Sequence, residues 1–180
     1  MVLRGDLPSG VGGYGDFIYA KDLLEYIKSL YGNQFHLQVG AYPEVHPQAK
    51  SAEDDFIHFS NKVKAGADGA ITQFFFSPEA YYEFMDRSEK ANLGIPITPG
   101  LITITNKESL LRMAYSCGAK VPKKIIKDLD KLNDEDVTKY GIDVLTKLAD
   151  DLLSFGAPGI HFYTINKLEP TKAIVEALKL

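Results

Sequence analysis

Tryptophan is absent from this chain, and cysteine occurs once, at Cys117. One cysteine excludes an internal disulfide and any cysteine-rich metal centre. No apolar run approaches the roughly 18 residues that a membrane-spanning helix needs, so no membrane partner is expected. Positive charge is not in excess: 20 Lys and Arg stand against 24 Asp and Glu, for a net charge of -4. That balance offers no basic surface to nucleic acid or to an anionic bilayer. Neither GxGxxG nor GxxxxGK(S/T) follows a strand-like segment, which disfavours a Rossmann or P-loop nucleotide site. The first residues, MVLRGDLPSG, lack the apolar core of a secretory signal, so a cytoplasmic location is expected.

The composition that remains is that of a globular protein: 45% of the 180 residues are apolar and 24% charged. This suffices for one domain, residues 1–180, with a real core. Strand-like and helix-like segments alternate along the chain. Met1–Leu3 reads as the end of a strand, and Leu7–Gly15 as a Gly/Pro loop. A helix follows over Phe17–Leu30, then a strand over Phe35–Ala41. A helix over Ala49–Ala65 leads to a strand over Ala70–Phe76, interrupted only by Thr72 and Gln73. Ser77-Pro78 opens a helix to Lys90. A third strand, Ile95–Ile104, is split by Pro99-Gly100. Three helices come next: Lys107–Ser116, capped by Thr105 or Asn106; Val121–Leu132; and a long one capped at Asn133–Glu135 and running to Phe155. A fourth strand spans Ile160–Thr164 and a last helix Leu168–Leu178. This βα alternation with near-continuous apolar strands predicts a parallel sheet, as a barrel or a doubly wound sheet.

The stretch from Val39 to Asp55, VGAYPEVHPQAKSAEDD, stands out. A plain connector does not need Tyr42, Glu44 and His46, and two prolines fix the loop that carries them. Polar residues recur after each strand: Arg4 and Asp6; Tyr42, Glu44 and His46; Gln73; Thr103 or Thr105; Tyr163, Asn166 and Lys167. In a parallel α/β fold those ends share one face, where ligands bind. His161 is expected to be a packed strand residue and His58 a helix-surface residue. Glu44 and His46 have no third ligand suitably spaced, so no metal is expected. A phosphate-bearing or flavin ligand fits better. Arg4 supplies five donors, helix starts supply N–H groups, and Lys62 follows Asp55 on one helix face.

The segments LRGDLP at Leu3–Pro8, AYPEVHP at Ala41–Pro47, ITQFFF at Ile71–Phe76, Pro99-Gly100 and HFYTIN at His161–Asn166 resemble methylenetetrahydrofolate reductases of the bacterial type. The resemblance covers the whole chain and implies a (β/α)8 TIM barrel, here from the end of strand 4 through strand 8. It implies FAD as cofactor, NADH or NADPH as reductant, and a folate substrate, 5,10-methylenetetrahydrofolate, reduced to 5-methyltetrahydrofolate. It places Leu3, Arg4, Gly5 and Asp6 beside the flavin, with Asp6 also facing the pterin. Tyr19 and Ala20 resemble residues packing near FAD. Tyr42 lies beside the flavin ring, and His46, Asp55 and Lys62 hold the ribityl, phosphate or adenosine parts. Gln73 touches both pterin and nicotinamide, and is assigned with Asp6 to catalysis. Lys167 stands where the family carries a substrate-binding arginine.

A complete barrel takes about 250 residues. The resemblance therefore implies an N-terminally truncated chain without the first-strand glutamate that serves as general acid. It further implies a homo-oligomer or a partner that supplies the missing strands. The alternative is a non-catalytic half-barrel that self-associates through its open edges.

Overall fold

The structure, a computed structural model, describes residues 1–5 and 15–179. Asp6 and all but the last residue of the expected Leu7–Gly15 loop lie outside the described residues. Four parallel strands form one sheet: β1 (Gln38–Ala41), β2 (Gly69–Phe74), β3 (Ile97–Ile102) and β4 (His161–Tyr163). Val2 adds a single parallel bridge to Val39 on the outer side of β1. Among the described residues seven helices connect and flank the strands: α1 (Ala20–Tyr31), α2 (Ala52–Lys64), α3 (Pro78–Lys90), α4 (Lys107–Cys117), α5 (Lys123–Leu129), α6 (Asp134–Phe155) and α7 (Leu168–Leu178).

Strand order in space is strand order in sequence, β1-β2-β3-β4. A doubly wound sheet would reverse direction at a switch point, and this one does not. Right-handed crossovers that always step the same way put every helix on one side and make an arc of a barrel. The fold is thus α/β of the (β/α)8-barrel type. Burial follows the ladder. Val39, Ala70 and Ile97 are registered across β1–β3 and fully buried. Their neighbours Gly40, Ile71 and Thr98, also in register, are only half-buried. Leu3, which lies against Gly40, is 54% exposed. The helix side is a closed core, and the opposite face is only partly covered at Gly40, Ile71 and Thr98 but buried at Gly100 and Ile102 among the described residues.

Two expected helix starts move, each for a local reason. The first helix begins at Ala20, not Phe17, because the Asp22 carboxylate accepts the Tyr19 N–H at 2.9 Å and caps it there. The α2 helix begins after Ser51, whose hydroxyl accepts the Asp54 N–H at 3.1 Å. Ser77 precedes Pro78 at the start of α3, but its hydroxyl is taken by Glu79 and caps no backbone group. Asn106 and Asn133 do cap α4 and α6, through Ser109 N–H and Asp136 N–H at 2.9 Å each.

The third strand is not split at Pro99-Gly100. It runs unbroken because β2 bulges opposite it: Ile71 pairs with Thr98, but Phe74 pairs with Gly100. The Gly100 N–H donates to the Thr72 hydroxyl at 2.9 Å. Gly141 of α6 plays a similar part at the next layer, where a Cβ would stand 2.4 Å from the Ile104 carbonyl oxygen.

The first full strand starts at Gln38, three residues later than expected, because Asp68 engages its approach. The Asp68 carboxylate accepts the buried Leu37 N–H at 2.7 Å and the Lys28 ammonium at 3.2 Å, and the Asp68 N–H donates to the Leu37 carbonyl. The Leu37 N–H, then Lys28, hold this carboxyl below its ordinary value of 3.8. A depressed carboxyl contributes stability above its unfolded pKa and loses it as pH falls through the folded one. Asp68→Ala is expected to cost about 1–2 kcal/mol, chiefly by leaving the Leu37 N–H unpaired. Urea unfolding at pH 7 and at pH 3 checks this. A cost that does not shrink in acid would refute the assignment.

Candidate functional site

The loop after β1 is built by its own backbone. The His46 N–H donates to the Asp55 carboxylate at 2.8 Å, and His46 Nδ1 accepts the Gln48 N–H at 3.0 Å. The His46 carbonyl accepts the Ala49 N–H at 2.9 Å. These bonds fold residues 46–49 onto the start of α2. They also fix the imidazole with Nδ1 unprotonated. The Tyr42 ring meets the His46 ring edge-on at 4.5 Å between centroids.

Cations gather on the same flank. Lys62, two turns along α2 from Asp55, donates to the Gly40 carbonyl at 2.5 Å. Burial lowers its pKa to about 8, with Asp55 opposing. The Arg4 guanidinium reaches the Gln48 side-chain oxygen at 2.9 Å. Burial also holds His46 below its ordinary value, aided by Arg4 and Lys62 against Asp55. Leu3, Arg4 and Gly5 thus lie beside the group formed by Tyr42, His46, Asp55 and Lys62. Gln48 is the link that the sequence did not single out.

Gln73 occupies the bulge in β2, a common way to re-aim a functional side chain. Its amide oxygen accepts the Phe74 N–H at 3.0 Å. Gln73 and Phe74 line a narrow crevice with Tyr42–Val45 on one side and Cys117–Ala119 on the other. Lys167 donates to the Thr105 hydroxyl at 2.9 Å. Both border a cavity of about 220 Å³ at the ends of β3 and β4, with Thr103, Asn106 and Ile165 in its wall. Ile165 and Asn166 have φ of +48° and +57°. A β-branched residue in that region is strained, and such strain collects at ligand sites.

Among the described residues no ring contact draws Tyr19 into these groups. Tyr19, 56% exposed, pairs its ring with His58 at 6.3 Å. His58 is the helix-surface residue expected, 3.7 Å from Asp54. His161 is half-buried in β4, its ring 4.8 Å from that of Tyr163. Among the described residues no group of three His, Cys, Asp or Glu is placed to hold a metal ion. No helix among them is long and apolar enough to cross a membrane.

The family model described as methylenetetrahydrofolate reductase matches residues 1–179. The 5,10-methylenetetrahydrofolate reductase of Escherichia coli (strain K12) is 37% identical over 180 residues, covering 99% of this chain and 60% of that protein. That of Pectobacterium carotovorum is 38% identical, covering 99% and 59%. Methylenetetrahydrofolate reductase (NADH) 1 of Arabidopsis thaliana is 34% identical, covering 92% and 31%. This chain therefore spans about 60% of the length of the bacterial relatives. A solved Clostridium thermocellum protein, described as binding two copies of 5-methyl-5,6,7,8-tetrahydrofolic acid, superimposes with a TM-score of 0.67 at 20% identity. The match covers 96% of this chain and 64% of that one, and shows a shared fold. Motifs, strand order and relatives agree: the chain belongs to the methylenetetrahydrofolate reductase family.

Proposed function

We propose that this chain carries the ligand-facing part of a flavin-dependent reductase. The reaction converts 5,10-methylenetetrahydrofolate to 5-methyltetrahydrofolate with NADH or NADPH as reductant. The observation that carries the proposal is the group of His46, Asp55 and Lys62 beside Tyr42 at the end of β1. The names of the bacterial relatives support the substrate and that of the plant relative supports NADH. The folate bound by the Clostridium thermocellum protein supports it too.

The residues present fit FAD. A half-buried ammonium whose hydrogen bond goes to the Gly40 carbonyl suits a phosphate oxygen, which offers full charge in exchange. Arg4 adds a second cation on the same flank, and Tyr42 an aromatic surface for the ring. When bound, FAD supplies the hydride chemistry, and the protein positions and tunes it. Gln73 orients whichever substrate is present without committing a proton. Asp6, as a carboxylate beside the pterin, stabilises positive charge that develops there. Lys167 holds the folate by charge, without the bidentate fork of an arginine. In this proposal the proton donor to the folate comes from outside these 180 residues.

The partly covered sheet face at Gly40, Ile71 and Thr98 favours a second reading: a non-catalytic module that self-associates. Parallel sheets are stable when covered on both faces. Light scattering of the purified chain, with FAD titration followed in the visible band, separates the two. Flavin retention, bleaching by NAD(P)H and reoxidation by methylenetetrahydrofolate support the reductase. A colourless oligomer that takes up no FAD refutes it for this chain. Asp6→Asn is expected to slow the folate half-reaction more than the NAD(P)H one. Equal losses would show a merely structural aspartate.

A further inference from the structure

Glu44 is absorbed by none of the roles above, yet its side chain ties the first half of its loop to a distant turn. It is half-buried, and its carboxylate accepts the Lys120 N–H at 2.8 Å. Lys120 lies 76 residues later, just past the end of α4. The same turn presses on the loop at a second point. Gly118, with φ of +71°, caps α4, and a Cβ there would come within 3.0 Å of Pro47 Cγ and 3.2 Å of the Val45 carbonyl oxygen. Glycine therefore lets the turn close on the loop where a side chain would hold it off.

The loop has two halves with different anchors. Residues 46–49 are held to α2 by the bonds of His46 described above. Residues 42–45 face the α4–α5 turn across the crevice floored by Gln73 and Phe74. Glu44 crosses from one wall of that crevice to the other. Tyr42 and Gln73, assigned to the ring and to the substrate, border the same crevice, so its width sets their separation.

We propose that Glu44 is a positioning residue: its carboxylate clamps residues 42–45 to the α4–α5 turn and so sets Tyr42 relative to Gln73. The clamp follows from the contacts of Glu44, Lys120 and Gly118. Its effect on ligand binding rests on the flavin reading of the site.

The test compares Glu44→Ala, Glu44→Gln and Gly118→Ala with the wild type. Hydrogen exchange reads the clamp without any ligand, and FAD titration reads its consequence. Glu44→Ala is expected to speed exchange in peptides covering 42–45 and 118–121, and to weaken FAD binding about tenfold, the loss of one charge-assisted hydrogen bond. Glu44→Gln keeps an acceptor and should restore most of both. Gly118→Ala should loosen the same peptides with Glu44 intact. Unchanged exchange in Glu44→Ala overturns the clamp. Faster exchange with unchanged FAD affinity overturns the positioning role. If the wild type takes up no FAD, the flavin reading fails, and the exchange result still decides the clamp.

Discussion

Gly100→Ala is expected to destabilise the chain by more than about 3 kcal/mol, or to prevent folding, for the gain of a single methyl group. An ideal Cβ at Gly100 would stand 2.3 Å from the Thr72 carbonyl oxygen and 2.7 Å from Cε2 of Tyr163. The first is backbone and cannot rotate away. Three strands also converge there. The Gly100 N–H donates to the Thr72 hydroxyl at 2.9 Å, and the Tyr163 hydroxyl donates to the Thr72 carbonyl at 2.9 Å. Relieving the clash means parting β2 from β3 and losing bonds on both sides. Gly159→Ala is the control, since among the described residues nothing lies within 4 Å of its Cβ position. It should change stability by less than about 0.5 kcal/mol. A Gly100→Ala protein that unfolds in urea within about 1 kcal/mol of wild type would show that the sheet yields where it is drawn tightest.

Lys62→Met is expected to move stability and binding in opposite directions. Burial takes Lys62 from 10.5 to about 8, so the folded state binds fewer protons than the unfolded state between those values. Stability of the ligand-free chain therefore rises with pH over that window, and below it the buried charge is a standing cost. Removing the ammonium lifts that cost, offset by the donor lost to Gly40. The net gain at pH 7 should be about 1–2 kcal/mol. FAD affinity should fall by about tenfold or more, because the phosphate loses its least hydrated partner. Urea unfolding from pH 7 to pH 10 should show the wild-type slope flattened in the variant. Lower stability in Lys62→Met would mean that the ammonium is a structural bond to β1 and not a binding group held in reserve.

Much of the fold is legible in the sequence. Strands and helices announced themselves because their apolar spacing and their caps are local. Asn106 and Asn133 each stand three residues before the N–H they accept. The pairing of Asp55 with Lys62 was legible too, because the helix period carries one to the other, while His46 joined them only through the family resemblance. What stayed hidden acts across the chain. Glu44 meets Lys120 over 76 residues, and Tyr163 meets Thr72 over 91. The bulge in β2 was hidden for the same reason: Thr72 and Gln73 read as an interruption of an apolar run, and only the register against β3 shows the extra residue. Pro99-Gly100 misled because its usual effect, ending a strand, is cancelled by that bulge.

The strand order also fixes how the chain can assemble in time. Each strand's hydrogen-bonded neighbours are the strands before and after it in sequence. Every pairing closes a loop no longer than one helical connection, or three between β3 and β4. Loop closure is the main toll on slow β-rich folds, and here it is collected in short instalments. A ribosome releasing β1, β2 and β3 in sequence order lets each dock on its predecessor as it emerges. The β3–β4 pairing must wait for α4, α5 and α6, and it brings Tyr163 onto Thr72 as the last stitch. Growth by addition at one edge leaves that edge sticky until the next unit arrives, so this sheet is most exposed to wrong partners while β3 waits for β4.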